Sequence, residues 1–190
     1  MRLDRYVVVT ALSALAVLTG CEVNGKVEQG RVIAYDKSAG TVTLIRETWP
    51  PDPSSAGVLP PAIVKVPADP VEMGPAPAAG RLLRVDAKSH RLVVFDGTKQ
   101  EFRTIEYTPM EQRRVARAPS TPPVDRNART ISVYSPVDKT LITFRATDEL
   151  MAMPADTWKA GDVVRYYYKQ PDQALRLMNV TKTDVTKAGA

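Results

Sequence analysis

The chain has 190 residues, one cysteine, one histidine and a formal net charge of +5. A single cysteine excludes an intrachain disulfide framework, and together with a single histidine it argues against a conventional zinc centre. Sixteen prolines mark loops and linkers between apolar, strand-like runs rather than continuous disorder.

Met1-Arg2-Leu3-Asp4-Arg5 is a short positive region, and residues 6–18 are apolar apart from Thr10 and Ser13. As a helix that stretch would cover roughly 20 Å, short of the ~30 Å hydrocarbon layer. It therefore reads as a cleavable export signal, with a permanent span or an ordinary secretory signal as the alternatives. Leu18-Thr19-Gly20-Cys21 resembles the lipobox of bacterial lipoprotein precursors. The resemblance implies a diacylglycerol thioether on Cys21, cleavage before it, and acylation of the new amino group. It places the protein in the cell envelope, lipid-anchored, and Glu22 after the cysteine favours the periplasmic face of the outer membrane over the inner membrane. Loss of Arg2, Arg5 and Asp4 changes the charge from +5 to +4.

Beyond the signal, residues 21–29 read as lipidated cysteine and tether. Residues 31–35 and 41–45 read as strands around turn chemistry at 36–40. A proline-rich insertion, 49–61, precedes a third strand at 62–66. Asp69, Pro70 and Gly74 suit a capped helical turn. Residues 81–85 and 91–95 read as a further hairpin, which completes a first β module over 30–107. Thr108-Pro109-Met110-Glu111 has the form of a capping box, predicting a short helix to about Arg117. Pro119, Pro122 and Pro123 stiffen the rest of a 108–129 linker. The hairpin format then recurs at 130–134 and 140–144, with a third strand at 148–152, a helical turn at 154–161, and strands at 163–168 and 175–180. That is a second module, 130–183, followed by a tail at 184–190 read as disordered.

The two halves match as an internal duplication, with Tyr35 against Tyr134 and Pro67-Ala68-Asp69 against Pro154-Ala155-Asp156. Strand, strand, strand, short helix, strand, strand is the order of OB-type five-stranded barrels. The expected fold class is thus all-β, with two tandem OB-like barrels; one continuous β-sandwich or barrel is the alternative. The resemblance is to a topology and carries no ligand.

Few residues point to chemistry. His90 falls in a turn, Asp69 and Asp156 are explained by capping, and Asp36 and Asp86 by turns. No phosphate loop or dinucleotide fingerprint occurs. Arg113, Arg114, Arg117, Arg126 and Arg129 form the densest basic stretch, a candidate contact for lipid phosphate, lipopolysaccharide or peptidoglycan. Alternation puts Tyr166 and Tyr168 on one strand face and Tyr167 on the other. Tyr167, and Trp49 beside Pro50 and Pro51, are candidate partner contacts. Trp158 is expected to plug one end of the second module.

The expectation is a non-catalytic binding or scaffolding protein, an accessory subunit of an envelope assembly. It needs no cofactor beyond the lipid on Cys21, meets the membrane through its anchor, and has an envelope protein as candidate partner and no nucleic acid. A binder of an anionic envelope ligand and, behind it, an enzyme acting on envelope polymers are the competing expectations.

Overall fold

The computed structural model describes residues 24–46 and 60–183. Cys21, Glu22, the export segment, Trp49 with most of the proline-rich insertion, and the tail lie outside the described residues.

The chain is nearly all β. In order it forms β1 (Lys26–Asp36), β2 (Thr41–Arg46), β3 (Ala62–Lys65), a 3-10 turn (Pro70–Glu72), β4 (Leu82–Asp86), β5 (Arg91–Asp96), β6 (Glu101–Glu106), β7 (Pro109–Arg114) and β8 (Val124–Asp125). Next come β9 (Thr130–Ser135), β10 (Thr140–Arg145), the helix α1 (Asp148–Ala152), a second 3-10 turn (Ala155–Trp158), β11 (Val163–Gln170) and β12 (Gln173–Asn179).

One local device builds most of the hairpins. An Asp or Ser ends a strand, and four residues later comes a residue with positive φ: Gly40 (62°), His90 (54°), Gln100 (56°), Arg129 (54°) and Lys139 (51°). Asp36 Oδ1 accepts from the amides of Ser38 and Ala39, both at 2.9 Å. Asp86 does the same for Lys88 and Ser89, and Asp96 for Thr98 and Lys99. The carboxylate satisfies the amides that the turn takes out of the ladder. His90 is therefore a turn residue in the left-handed region, which histidine enters more readily than most.

A closed five-stranded barrel forms in the order β1-β11-β12-β3-β2. Numbered within the barrel, this is strand order 1-4-5-3-2, with the third and fifth strands parallel where Lys65 meets Gln173. That is the OB-type connection. The strands closing it differ from the tandem reading: β11 and β12 come back from the C-terminal end of the chain to complete the barrel begun by β1, β2 and β3. Residues 82–158 are held between the third and fourth barrel strands. There the sheets β4-β5-β6 and β7-β10-β9-β8 share one core, which includes Leu92, Val94, Ile131, Ile142, Phe144 and Trp158.

A bulge between Val32 and Ala34 joins the two units. The extra residue lets two consecutive side chains be buried on opposite sides. Val32 fills the barrel, and Ile33 joins Ile45 and Phe95 in a small cluster between barrel and inner unit.

Three local expectations are corrected. Residues 109–114 are the edge strand β7, paired with β10, and not a helix. A helix of about ten residues carries a nucleation cost that isolated capping signals do not offset, while the open edge of β10 offers a full ladder. Residues 148–152 are α1 and not a third strand: Thr147 Oγ1 caps the amide of Leu150, and Asp148 and Glu149 stand in the first turn, where negative charge suits the helix dipole. The tether is shorter than residues 21–29, because β1 begins at Lys26.

Candidate functional site

The chain enters and leaves the inner unit through one narrow crossing. Gly80 N donates to Val32 O at 3.1 Å, Val32 N to Asp162 O at 2.9 Å, and Asp162 N to Ala78 O at 2.9 Å. Arg81 N and Leu82 N donate to Asp156 O and Lys159 O. The backbones lie so close that a Cβ on Gly161 would stand 1.9 Å from Val32 O, and one on Gly80 2.4 Å from Lys159 O. Only glycine fits at these two positions.

Asp162 anchors the crossing. Its Oδ2 accepts from Ala78 N and from Asn179 Nδ2, each at 2.8 Å, and lies 3.2 Å from Lys182 Nζ. Burial works against its charge, but these three donors outweigh burial and hold the carboxyl below its ordinary range. Asn179, fully buried, spends its other amide proton on Pro75 O.

Beside this crossing opens a cleft of about 520 Å³. One wall is the segment 118–123, with Pro119, Pro122 and Pro123; another is the outer face of the inner sheet, with Ser132, Tyr134 and Leu141; the floor is residues 158–163, with Arg31 of β1 at the barrel side. The proline wall is tied at both ends. Val115 N donates to Lys139 O and the Tyr134 hydroxyl to Ala116 O, and Ser132 N donates to Pro123 O at 2.7 Å. The Arg31 guanidinium donates to Gly161 O at 2.9 Å. A concave, mostly apolar lining with a few convergent polar groups in this volume range is the usual form of a small-ligand site. Arg31 and Lys159 are its basic residues and Asp162 its single carboxylate.

A second polar cluster closes the barrel between β1, β2 and β11. Glu28 accepts from the hydroxyls of Tyr168 (2.6 Å) and Tyr166 (2.8 Å) and from Arg46 (3.1 Å). Burial opposes its charge, yet the two hydroxyls and the guanidinium keep its carboxyl below the usual range. The Tyr166 hydroxyl is pushed far up, by burial first and then by Glu28; that of Tyr168 is raised by its bond to Glu28. The two rings stack with centroids 5.4 Å apart. This arrangement is structural: its donors and acceptors are spent on one another.

The structure divides the basic stretch. Arg113 and Arg114 lie opposite Leu141 and Thr140 at one end of β10, whereas Thr130, next to Arg129, lies opposite Arg145 at the other end. The length of β10, about 17 Å, and the full width of the sheet separate them. Arg113 pairs with Glu111 and Arg129 with Asp148, while Arg117 and Arg126 are exposed. They do not form one site. Tyr167 is half-buried on the outer face of the barrel, its ring against Gly25. The residues around the cleft carry no joint signal in the sequence, because they come from five separate segments, at Arg31, 118–123, 132–141, 158–163 and Thr181.

Among the described residues, no group of three His, Cys, Asp or Glu is arranged to hold a metal ion, and no helix is long and apolar enough to cross a membrane.

Fold and cleft together define an all-β protein in which a five-stranded barrel carries a second β unit between its third and fourth strands. Residues 23–188 match the family model described as "Domain of unknown function (DUF4881)", and the chain belongs to that family. No curated protein and no solved structure matches it.

Proposed function

We propose that this chain is a lipid-anchored protein of the bacterial cell envelope that acts as a non-catalytic binding module, its ligand held in the cleft at the crossing of the two β units. The observation that carries the binding role is the cleft itself: about 520 Å³, with a braced proline wall and a mostly small and apolar lining. Its one carboxylate, Asp162, is already committed to three donors, which favours binding over acid–base chemistry. The envelope role is supported by the Leu18-Thr19-Gly20-Cys21 segment. A small or narrow ligand with an apolar face and an acceptor group toward Arg31 and Lys159 suits the lining. The five arginines favour a dedicated anionic-polymer site less, since they are split between two ends of a sheet.

Native mass spectrometry of the protein purified from its own membranes tests this. A bound small molecule is expected on the wild type and absent from Ser120→Trp, which fills the cleft from its exposed wall. An unliganded wild type that also shows no thermal shift with anionic lipids or peptidoglycan fragments would refute the cleft as a ligand site.

A further inference from the structure

We infer that the outer face of β1, β11 and β12 is a docking surface for an anionic phospholipid bilayer. The inference rests on the lipid-anchor reading and deepens it by naming the side of the barrel that meets the membrane.

The first observation is reach. The barrel starts at Lys26, five residues beyond Cys21, and five extended residues span at most about 17 Å. An acyl chain on Cys21 therefore holds the start of β1 close to the headgroups and leaves the barrel little freedom to choose which side faces them.

The second observation is what the strands beside that point expose. Val27 is 62% exposed, and its cross-strand partner is Tyr167 on β11. Tyr167 is opposite Arg176 on β12, and a bulge next to that pair turns Leu175 outward, 43% exposed. Directly opposed positions have Cβ atoms about 5 Å apart, so Val27, Tyr167 and the Arg176–Leu175 pair form one stripe across three strands. An aliphatic, an aromatic with a polar tip and a second aliphatic, side by side and facing outward, match the polarity gradient of the headgroup layer.

The third observation is charge. β11 and β12 contain Arg165, Lys169 and Arg176 and no acidic residue, with Asp172 confined to the hairpin tip between them. Arg176 is neutralised by Glu72 at 2.6 Å, which leaves Arg165 and Lys169 flanking Tyr167 on the same strand face. The carboxylate of β1 nearest the stripe, Glu28, is turned to Tyr166 and Tyr168. Basic residues around a shallow apolar stripe attract an anionic surface at the range where the stripe can engage it.

The acylated full chain supplies its own test, because Cys21 is the only cysteine and an introduced thiol is then the only reactive one. Leu175→Cys and, as reference, Val137→Cys in the exposed β9–β10 turn would each be labelled with a fluorophore, and the proteins reconstituted in phosphatidylglycerol/phosphatidylethanolamine vesicles doped with headgroup-nitroxide lipid. Quenching is expected to be about threefold stronger at 175 than at 137. The difference is expected to fall in phosphatidylcholine vesicles, and again in an Arg165→Glu, Lys169→Glu background. Equal quenching at the two sites would overturn the proposal, as would protection of position 175 by a second copy of the chain in detergent. Failure of the anchor reading is a separate result: no acyl label, and a second reactive thiol at Cys21.

Discussion

The barrel and the inner unit use the same hairpins, yet they are stabilised in different ways. The inner unit is one contiguous stretch, 82–158, and its core is apolar, with Trp158 edge-on to Phe144 at 6.2 Å. The barrel joins segments at opposite ends of the chain; Glu28 and Tyr166 are 138 residues apart in sequence. Closing so long a loop costs conformational entropy before any contact is gained. Alongside its apolar core, the barrel has two directional polar clusters at its seams, Glu28 with its two tyrosines and Arg46, and Asp162 with Asn179 and Lys182. A one-residue slip would turn the apolar set to the outer face, and a two-residue slip, which keeps the face, would still leave a buried carboxylate without its donors. The difference teaches that local sequence is enough to shape the inner unit, while the barrel depends on a few long-range polar pairs.

This contrast can be broken from either side. Trp158→Ala is expected to have the largest effect, about 4 kcal/mol, as the lost burial and the remaining cavity add. Hydrogen exchange should speed up in β4, β5, β9 and β10 well before β1, β11 and β12. Uniform acceleration would mean that the units do not open separately. Asp162→Asn should cost roughly 2 kcal/mol at neutral pH, by weakening the bonds to Ala78, Asn179 and Lys182. Its pH dependence sharpens the point. The folded carboxyl titrates below the usual aspartate value of about 4, so its stabilisation is complete above that value and disappears as pH falls through the lower, folded one. The gap between wild type and Asp162→Asn in urea denaturation should therefore narrow as the pH is lowered from about 5. A gap that stays constant would assign the effect to packing alone.

The sequence made the hairpins legible where Asp or Ser opened a turn beside clear β-type runs, at 36–40, 86–90 and 135–139. The same device at 96–100 and 125–129 is hidden in the sequence, because Gln100 and Arg129 are unusual residues for positive φ and β6, Glu-Phe-Arg-Thr-Ile-Glu, is half charged. The capping box at 108–111 points to a helix because it is a local signal, and the demand of the β10 edge for a partner is not local. Barrel closure was invisible for a related reason. The pairing of β11 with β1 leaves no local trace, and the parallel seam between β3 and β12 is a single residue pair. The cleft follows from that closure: without the return of β11 beside β1, Arg31 and Lys159 have no reason to meet.

The central claim is that the two ends of the chain build one barrel around the inner unit. Backbone NOEs in isotope-labelled protein test it most directly. The account predicts cross-strand contacts between Gln29 and Arg165 and between Val27 and Tyr167, where β1 meets β11. Contacts from β1 to β4 in their place, as two tandem barrels would require, would contradict it.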